Sequence, residues 1–276
     1  MSAGVLYVVA TPIGNLSDAS ARSVEVLRGA GIIACEDTRT SATLLARFGV
    51  TARTIALHEH NERAVASSLV EALRKGTDVA LISDAGTPAI SDPGAHLVAE
   101  AHKAGIRVSP LPGPSAAAAA FSVAGFAPGG FLFAGFLPPS GAARRKALEA
   151  LDLPWPVVLY EAPHRIARTL ADLTGRFGAA REVVLARELT KKFEEVARLT
   201  LGQSAAWLAA QPHRGQGEFA IVLAPGKPRP AEIAQAERVL GVLLETLPPS
   251  DAARIAARIT GVPKSALYRK ALDRSK

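Results

Sequence analysis

The sequence contains a single cysteine, Cys35, in 276 residues. No disulfide can form within the chain, and a reducing, cytoplasmic setting is expected. Long apolar runs are also missing. None reaches the roughly 20 residues a bilayer-spanning helix needs, so no membrane role is expected. Residues 1–10 are apolar but carry no basic flank and no cleavage site, which makes them a first strand and not a secretory signal. Without such a signal, Asn15-Leu16-Ser17 has no meaning as a glycosylation site. No cysteine or histidine set has zinc spacing, and no metal is expected. The usual nucleotide signatures fail as well. Residues 29–34 and 215–220 match the dinucleotide glycine string by letter, but each precedes a strand and cannot open a helix onto a pyrophosphate. There is no Walker loop. Gly113-Pro114-Ser115 lacks the second glycine of a nucleophile elbow.

What is present is a core-forming composition. Hydrophobic residues make up 49% of the chain and charged residues 21%, the balance of a globular protein with one large or two modest domains. The net charge of +7 favours polyanionic partners such as RNA.

Strand and helix signals alternate through the first half. Apolar runs at 5–10, 31–35, 53–57, 79–82 and 106–110 predict strands, and 19–30, 38–48, 62–75 and 95–104 predict helices between them. That alternation predicts a mostly parallel sheet covered on both faces. An alanine run at 116–120 predicts a tightly packed helix. The glycine- and proline-rich string 125–130 then marks a break. Beyond it, strands are expected at 131–136, 157–160, 183–186, 194–200 and 219–223, with helices at 144–151, 165–177 and 203–210. The connection from 186 to 194 is too short for a helical crossover, so those strands should be antiparallel and the second sheet mixed. After a second break at 225–230, three helices follow at 232–246, 251–260 and 264–274. Ser250 or Asp251 is expected to cap the second and Pro263 to open the third. The tail carries Arg254, Arg258, Lys264, Arg269, Lys270 and Arg274, and its last two helices resemble a helix-turn-helix, a nucleic-acid docking form, with a solvated helical cap as the alternative. The expected division is 1–125, 126–226 and 227–276.

Five loops place small residues beside charge just after a strand: 11–16, 36–39, 83–94, 111–116 and 160–165. In an open α/β sheet, ligands bind beyond the carboxyl ends of the strands. Glycine and proline let backbone approach a ligand and hold it rigidly. A cleft between two sheets, lined by these loops, is therefore the expected site.

The strings VATPIGNL, EDTR, LISDAGTPAISDPG, PLPGPSA, YEAPHR, RELTK and GEF, in this order, resemble the tetrapyrrole methylase superfamily. Within it they are similar to the branch of cytidine-2′-O-methyltransferases that act on small-subunit (16S) ribosomal RNA. That resemblance implies a two-domain α/β tetrapyrrole-methylase-like fold with a C-terminal helical tail. It implies S-adenosyl-L-methionine in the cleft, a homodimer, and methylation of a cytidine ribose at the decoding region, on free RNA or an assembled 30S subunit. Carried over by motif, the donor contacts are Pro12, Ile13, Asp84, Thr87, Ser115, Ala116 and Tyr160. Ala162, Ala42, Thr43 and Gln216 depart from residues common in that branch.

A ribose hydroxyl is a weak acid, so a general base is expected. Candidates are His164, whose alternative role is that of a helix-start residue, Glu36 (with its neighbour Asp37) and Glu188. Glu161 and Glu188 have an alternative role as structural ion pairs with Arg165 and Arg187. Arg39, Arg165, Arg187 and Lys191 are the expected phosphate contacts. Two other readings remain open on sequence grounds: a methylase acting on a tetrapyrrole intermediate, and a non-catalytic ribosome-binding protein on a decayed fold.

Overall fold

In the computed structural model, which describes residues 2–58, 60–126, 129–226 and 230–274, the strands form two five-stranded sheets. Residues 127–128 and 227–229, within the two expected breaks, lie outside the described residues. The first sheet contains β1 (Leu6–Val9), β2 (Ile32–Cys35), β3 (Arg53–Ala56), β4 (Val79–Ile82) and β5 (Val108–Leu111), in the order β3-β2-β4-β1-β5. Every pair in it is parallel. Successive side chains point to opposite faces, and each face has its own helices. Val9, Ile33 and Ile82 pack with Leu27 of α1 (Ala21–Gly29) and Leu45 of α2 (Thr38–Arg47). Leu6, Ala34 and Leu81 pack with Leu69 and Leu73 of α3 (Glu62–Arg74) and Leu97 of α4 (Ala95–Lys103). Burial on both sides is why these strands read as unbroken apolar runs.

The same assignment locates the ligand crevice. β1 and β4 are neighbours, but the helix that follows β1 lies on one face and the helix that follows β4 on the other. Their loops must part there, which makes this pair a topological switch point.

The second sheet contains β6 (Leu132–Phe136), β7 (Val157–Glu161), β8 (Glu182–Arg187), β9 (Glu195–Thr200) and β10 (Phe219–Leu223), in the order β6-β7-β10-β8-β9. β6 and β7 are parallel; the other pairs, including β8 with β9, are antiparallel. Val157, Leu159, Leu185 and Ile221 face α6 (Gly141–Ala150), α7 (Ile166–Phe177) and α8 (Leu201–Ala209). Val158, Val184 and Val222 on the other face take α5 (Ala116–Ser122), whose Ala117 and Ala120 allow close contact. Helix α5 thus lies on the second sheet, although it precedes the break at 125–130.

Helices α9 (Pro230–Leu244), α10 (Pro249–Thr260) and α11 (Lys264–Arg274) bury a cluster of their own around Leu240, Ala256 and Leu267. Gly261, at φ +75, ends α10 with its amide on the Ala257 carbonyl. The expected capping by Ser250 or Asp251 is corrected: α10 begins at Pro249, where a proline needs no amide partner, so both residues sit inside the first turn. Pro263 stands just ahead of α11, its carbonyl accepting the Ala266 amide.

Candidate functional site

The loops after β1 and β4 are stitched together by their backbones. The Thr11 and Gly86 amides each donate to the other residue's carbonyl, at 2.9 and 3.0 Å. Thr11 Oγ1 donates to the Ser83 carbonyl at 3.1 Å, and Ser83 Oγ to that of Gly86 at 3.2 Å. Thr87 Oγ1 reaches across to the Pro114 carbonyl at 3.1 Å, which joins the loop after β5. Gly113 lets the same loop pass close to the end of β1, since a Cβ there would stand 2.9 Å from the Ala10 Cβ. Ser115 caps α5, and the hydroxyl of Tyr160, on β7, accepts the Ala117 amide at 2.9 Å. Tyr160 is held between Phe133 and Phe136, with ring centroids at 4.8 and 5.7 Å, and burial raises its pKa. A bulge at Gly135, φ +63, precedes Phe136.

These loops enclose a cleft of about 520 Å³. Its wall includes Ile13, Asp84, Thr87, Ser115, Ala116, Tyr160 and His164 from the expected set. Pro12 is buried and does not line the cleft. Sequence reasoning missed Asp92, Phe136, Leu189 and Glu218, which also line it. Asp92 had a signal, since Ser91-Asp92-Pro93-Gly94 echoes the loop before it. Phe136 and Leu189 look like ordinary core residues.

One end of the cleft is acidic. Burial, followed by the charges of Asp92, Asp84 and Asp37, raises the pKa of Glu36. Asp92 is raised by burial and then by Asp84, and Asp84 by burial and by Asp37. Asp37 itself is held at about 2 by Arg39, whose backbone amide also donates to it at 2.8 Å as a helix cap. Glu62 fixes the far side of the same loop. Its Oε1 accepts amides from Gly94, His96 and Leu97 at 3.0, 2.8 and 3.2 Å, closing the start of α4.

The remaining expected residues are spent on holding the wall. The Glu161 side chain is wholly buried; it accepts the Ala162 amide at 3.0 Å, the Thr169 hydroxyl at 2.6 Å and Arg165 Nε at 3.0 Å. Arg165 also donates to the Leu137 carbonyl. This is the structural pair anticipated as its alternative role. Glu188 differs: its partners are Lys191 Nζ at 2.9 Å and the Glu218 amide at 2.9 Å, in place of Arg187. Burial opposes ionisation of Glu188, but those two donors outweigh it and its pKa is lowered. Arg187 is only 4% exposed and donates to the carbonyls of Gln216 and Phe193, at 2.6 and 3.0 Å. Its guanidinium is turned inward, which corrects the expectation of a surface phosphate contact. Lys191 pairs with Glu188 and Glu218. Arg39, with its side chain 90% exposed, remains open to solvent beside Asp37. Cys35 is buried and free, and no described helix is long and apolar enough to cross a membrane.

Comparison with known proteins bears on the family and the fold. A family model described as Tetrapyrrole (Corrin/Porphyrin) Methylases matches residues 5–205, and one described as RsmI C-terminal HTH domain matches 230–275. The chain is 49% identical to the Pseudomonas aeruginosa protein named Ribosomal RNA small subunit methyltransferase I, over 99% of each. It is 46% identical to the Escherichia coli O157:H7 protein of that name, over 99% of this chain and 96% of the other. The fold is similar to uroporphyrin-III C-methyl transferase from Thermus thermophilus, solved with S-adenyl homocysteine. The TM-score is 0.56 at 15% identity, over 80% of this chain and 97% of the other.

Proposed function

The chain belongs to the tetrapyrrole methylase family, in the branch of ribosomal RNA small subunit methyltransferase I, and from that premise we propose that it uses S-adenosyl-L-methionine to methylate the 2′-hydroxyl of a cytidine in the decoding region of 16S RNA. The observation that carries this reading is the convergence of loops 11–16, 83–94 and 111–116 with Tyr160 on one cleft at the switch point. The cleft lies within the size range of small-molecule sites, and Gly86, at φ +84, lets backbone form part of its wall. The carboxylates of Asp84 and Asp92 in its wall suit a cationic ligand. Ile13, Asp84, Thr87, Ser115, Ala116 and Tyr160 hold the donor, with Pro12 next to Ile13 in the chain setting the course of that loop.

When bound, the donor supplies an activated methyl group that carries its own positive charge. The protein's part is positioning and proton removal. A wall built from mutually bonded loops keeps an acceptor in place, which is worth up to about 7–11 kcal/mol in favourable geometry. His164 is the candidate base that lines the cleft, and a ring nitrogen of His164 takes the hydroxyl proton. Glu36 stands at the acidic end as the second candidate; Glu188 is engaged by two donors and ranks behind both. Arg39 contacts phosphate from the surface; Lys191 and Arg165 reach phosphate only by sharing charge already paired with Glu188, Glu218 and Glu161. Helices α10 and α11 dock the RNA. The active protein is a cytoplasmic homodimer acting on RNA or the assembled 30S subunit, in units 1–125, 126–226 and 227–276, with α5 at the end of the first unit packed on the sheet of the second.

Incubating the protein with labelled donor and undermethylated small subunits, then mapping the RNA by mass, tests the reading. Label on a single cytidine ribose is expected. Label on a base, or none on RNA with transfer to a tetrapyrrole, overturns it.

A further inference from the structure

The connection between β8 and β9, residues 188–194, forms part of the cleft wall through Leu189 and then turns outward. At its outer end stands Phe193, 64% exposed, the most exposed aromatic side chain among the described residues. An exposed phenyl ring on a loose loop would say little. This loop is tightly fixed. Glu188 and Thr190 adopt positive φ, +50 and +65, conformations that residues with a Cβ hold only when their surroundings impose them. The Glu194 carboxylate accepts the Thr190 amide at 2.6 Å, and the Glu194 amide donates to the Lys191 carbonyl at 3.1 Å. Lys191 ties the loop to Glu188 and Glu218, and buried Arg187 holds the Phe193 carbonyl at 3.0 Å. Gly14 of the first loop packs against Lys191, where a Cβ would stand 2.3 Å from its Cγ.

The ring also carries a cation. Lys192, in no ion pair among the described residues, places its ammonium 5.5 Å from the ring centroid. An exposed aromatic ring on a fixed backbone, with a lysine ammonium over it that is in no ion pair among the described residues, is an arrangement that can stack an unpaired nucleobase and meet its phosphate. We propose that Phe193 and Lys192 form a stacking platform for a single-stranded RNA base next to the one in the cleft. This rests on the reading of the substrate as RNA. It adds a contact that none of the expected basic residues supplies, because a stacked base is ordered and a charge alone leaves it free to rotate.

The test is binding of a short oligocytidylate carrying one fluorescent base, with undermethylated small subunits as a second probe. F193A should weaken binding of both about 5- to 150-fold, while donor affinity by calorimetry is unchanged. F193W should restore affinity and the quenching of the fluorescent base. F193L keeps apolar bulk without a π face and should behave like F193A. K192A should reduce the salt slope by about one unit. Unchanged RNA affinity in F193A, or full affinity in F193L, overturns the platform while wild-type binding leaves the RNA reading intact. Conversion of a dimer to monomer by F193A, with RNA affinity per chain retained, would assign the ring to a second copy of the chain instead. No binding of either RNA by the wild type overturns the RNA reading and the platform with it.

Discussion

At the scale of single residues, the acidic end of the cleft gives the sharpest tests. Asp84 lines the cleft and carries a charge that burial disfavours. Asp84→Ala should weaken donor binding about 10- to 100-fold by calorimetry, the range for losing a contact to a charged group. Asp92 gives a test of sign. Its folded pKa is raised, by burial and by Asp84, above the ordinary value of 3.8. The folded state therefore holds the proton more firmly than the unfolded chain. That contribution to stability is complete in acid below 3.8 and is lost as pH rises through the raised value. At neutral pH the charge works against folding, so Asp92→Asn should raise the melting temperature there, with the gain vanishing toward pH 3.8. A gain that persists in acid would mean that the carboxylate is not strained by its neighbours. Arg165→Ala should lower unfolding free energy by about 1–3 kcal/mol in a urea titration, because it leaves the buried Glu161 short of a donor. Unchanged stability with a flatter salt dependence of RNA affinity would assign the guanidinium to phosphate.

At the scale of elements, the strands and helices of both sheets were readable from apolar runs and from glycine and proline, to within a few residues. The shifts have local causes. Helix α1 starts at Ala21 because Asn15 caps a 3₁₀ turn at Leu16–Asp18 and Ser20 then caps the helix. The union of the RELTK and GEF strings was not readable, because it crosses two strands. Gly217, at φ +83, brings the Glu218 amide to Glu188, and a Cβ at 217 would stand 2.5 Å from the Glu188 Cγ. Gly217→Ala should therefore cost about 1–3 kcal/mol in chemical denaturation. A neutral result would show that the β8–β9 connection yields freely.

At the scale of the whole molecule, the tail helices bury their apolar cluster among themselves, without drawing on either sheet. Removing 230–276 should leave donor affinity unchanged and reduce affinity for small-subunit RNA and its salt slope, measured by calorimetry and filter binding. A fall in donor affinity would show that the tail supports the cleft. Local sequence marked most of the loops that line the cleft, by glycine and proline after each apolar run; loop 36–39 was marked as well but supplies no lining residue, whereas Leu189 and Glu218 line it unmarked. The alternation of strands and helices followed in the same way, from side-chain period and chain stiffness. Tertiary structure decided what those charges do. Arg187 and Glu188 look equally available in the sequence, but one is turned into the core and the other is shared between Lys191 and the Glu218 amide. Ionic partners are chosen by distance and burial, and both come into being only when strands far apart in the chain become neighbours.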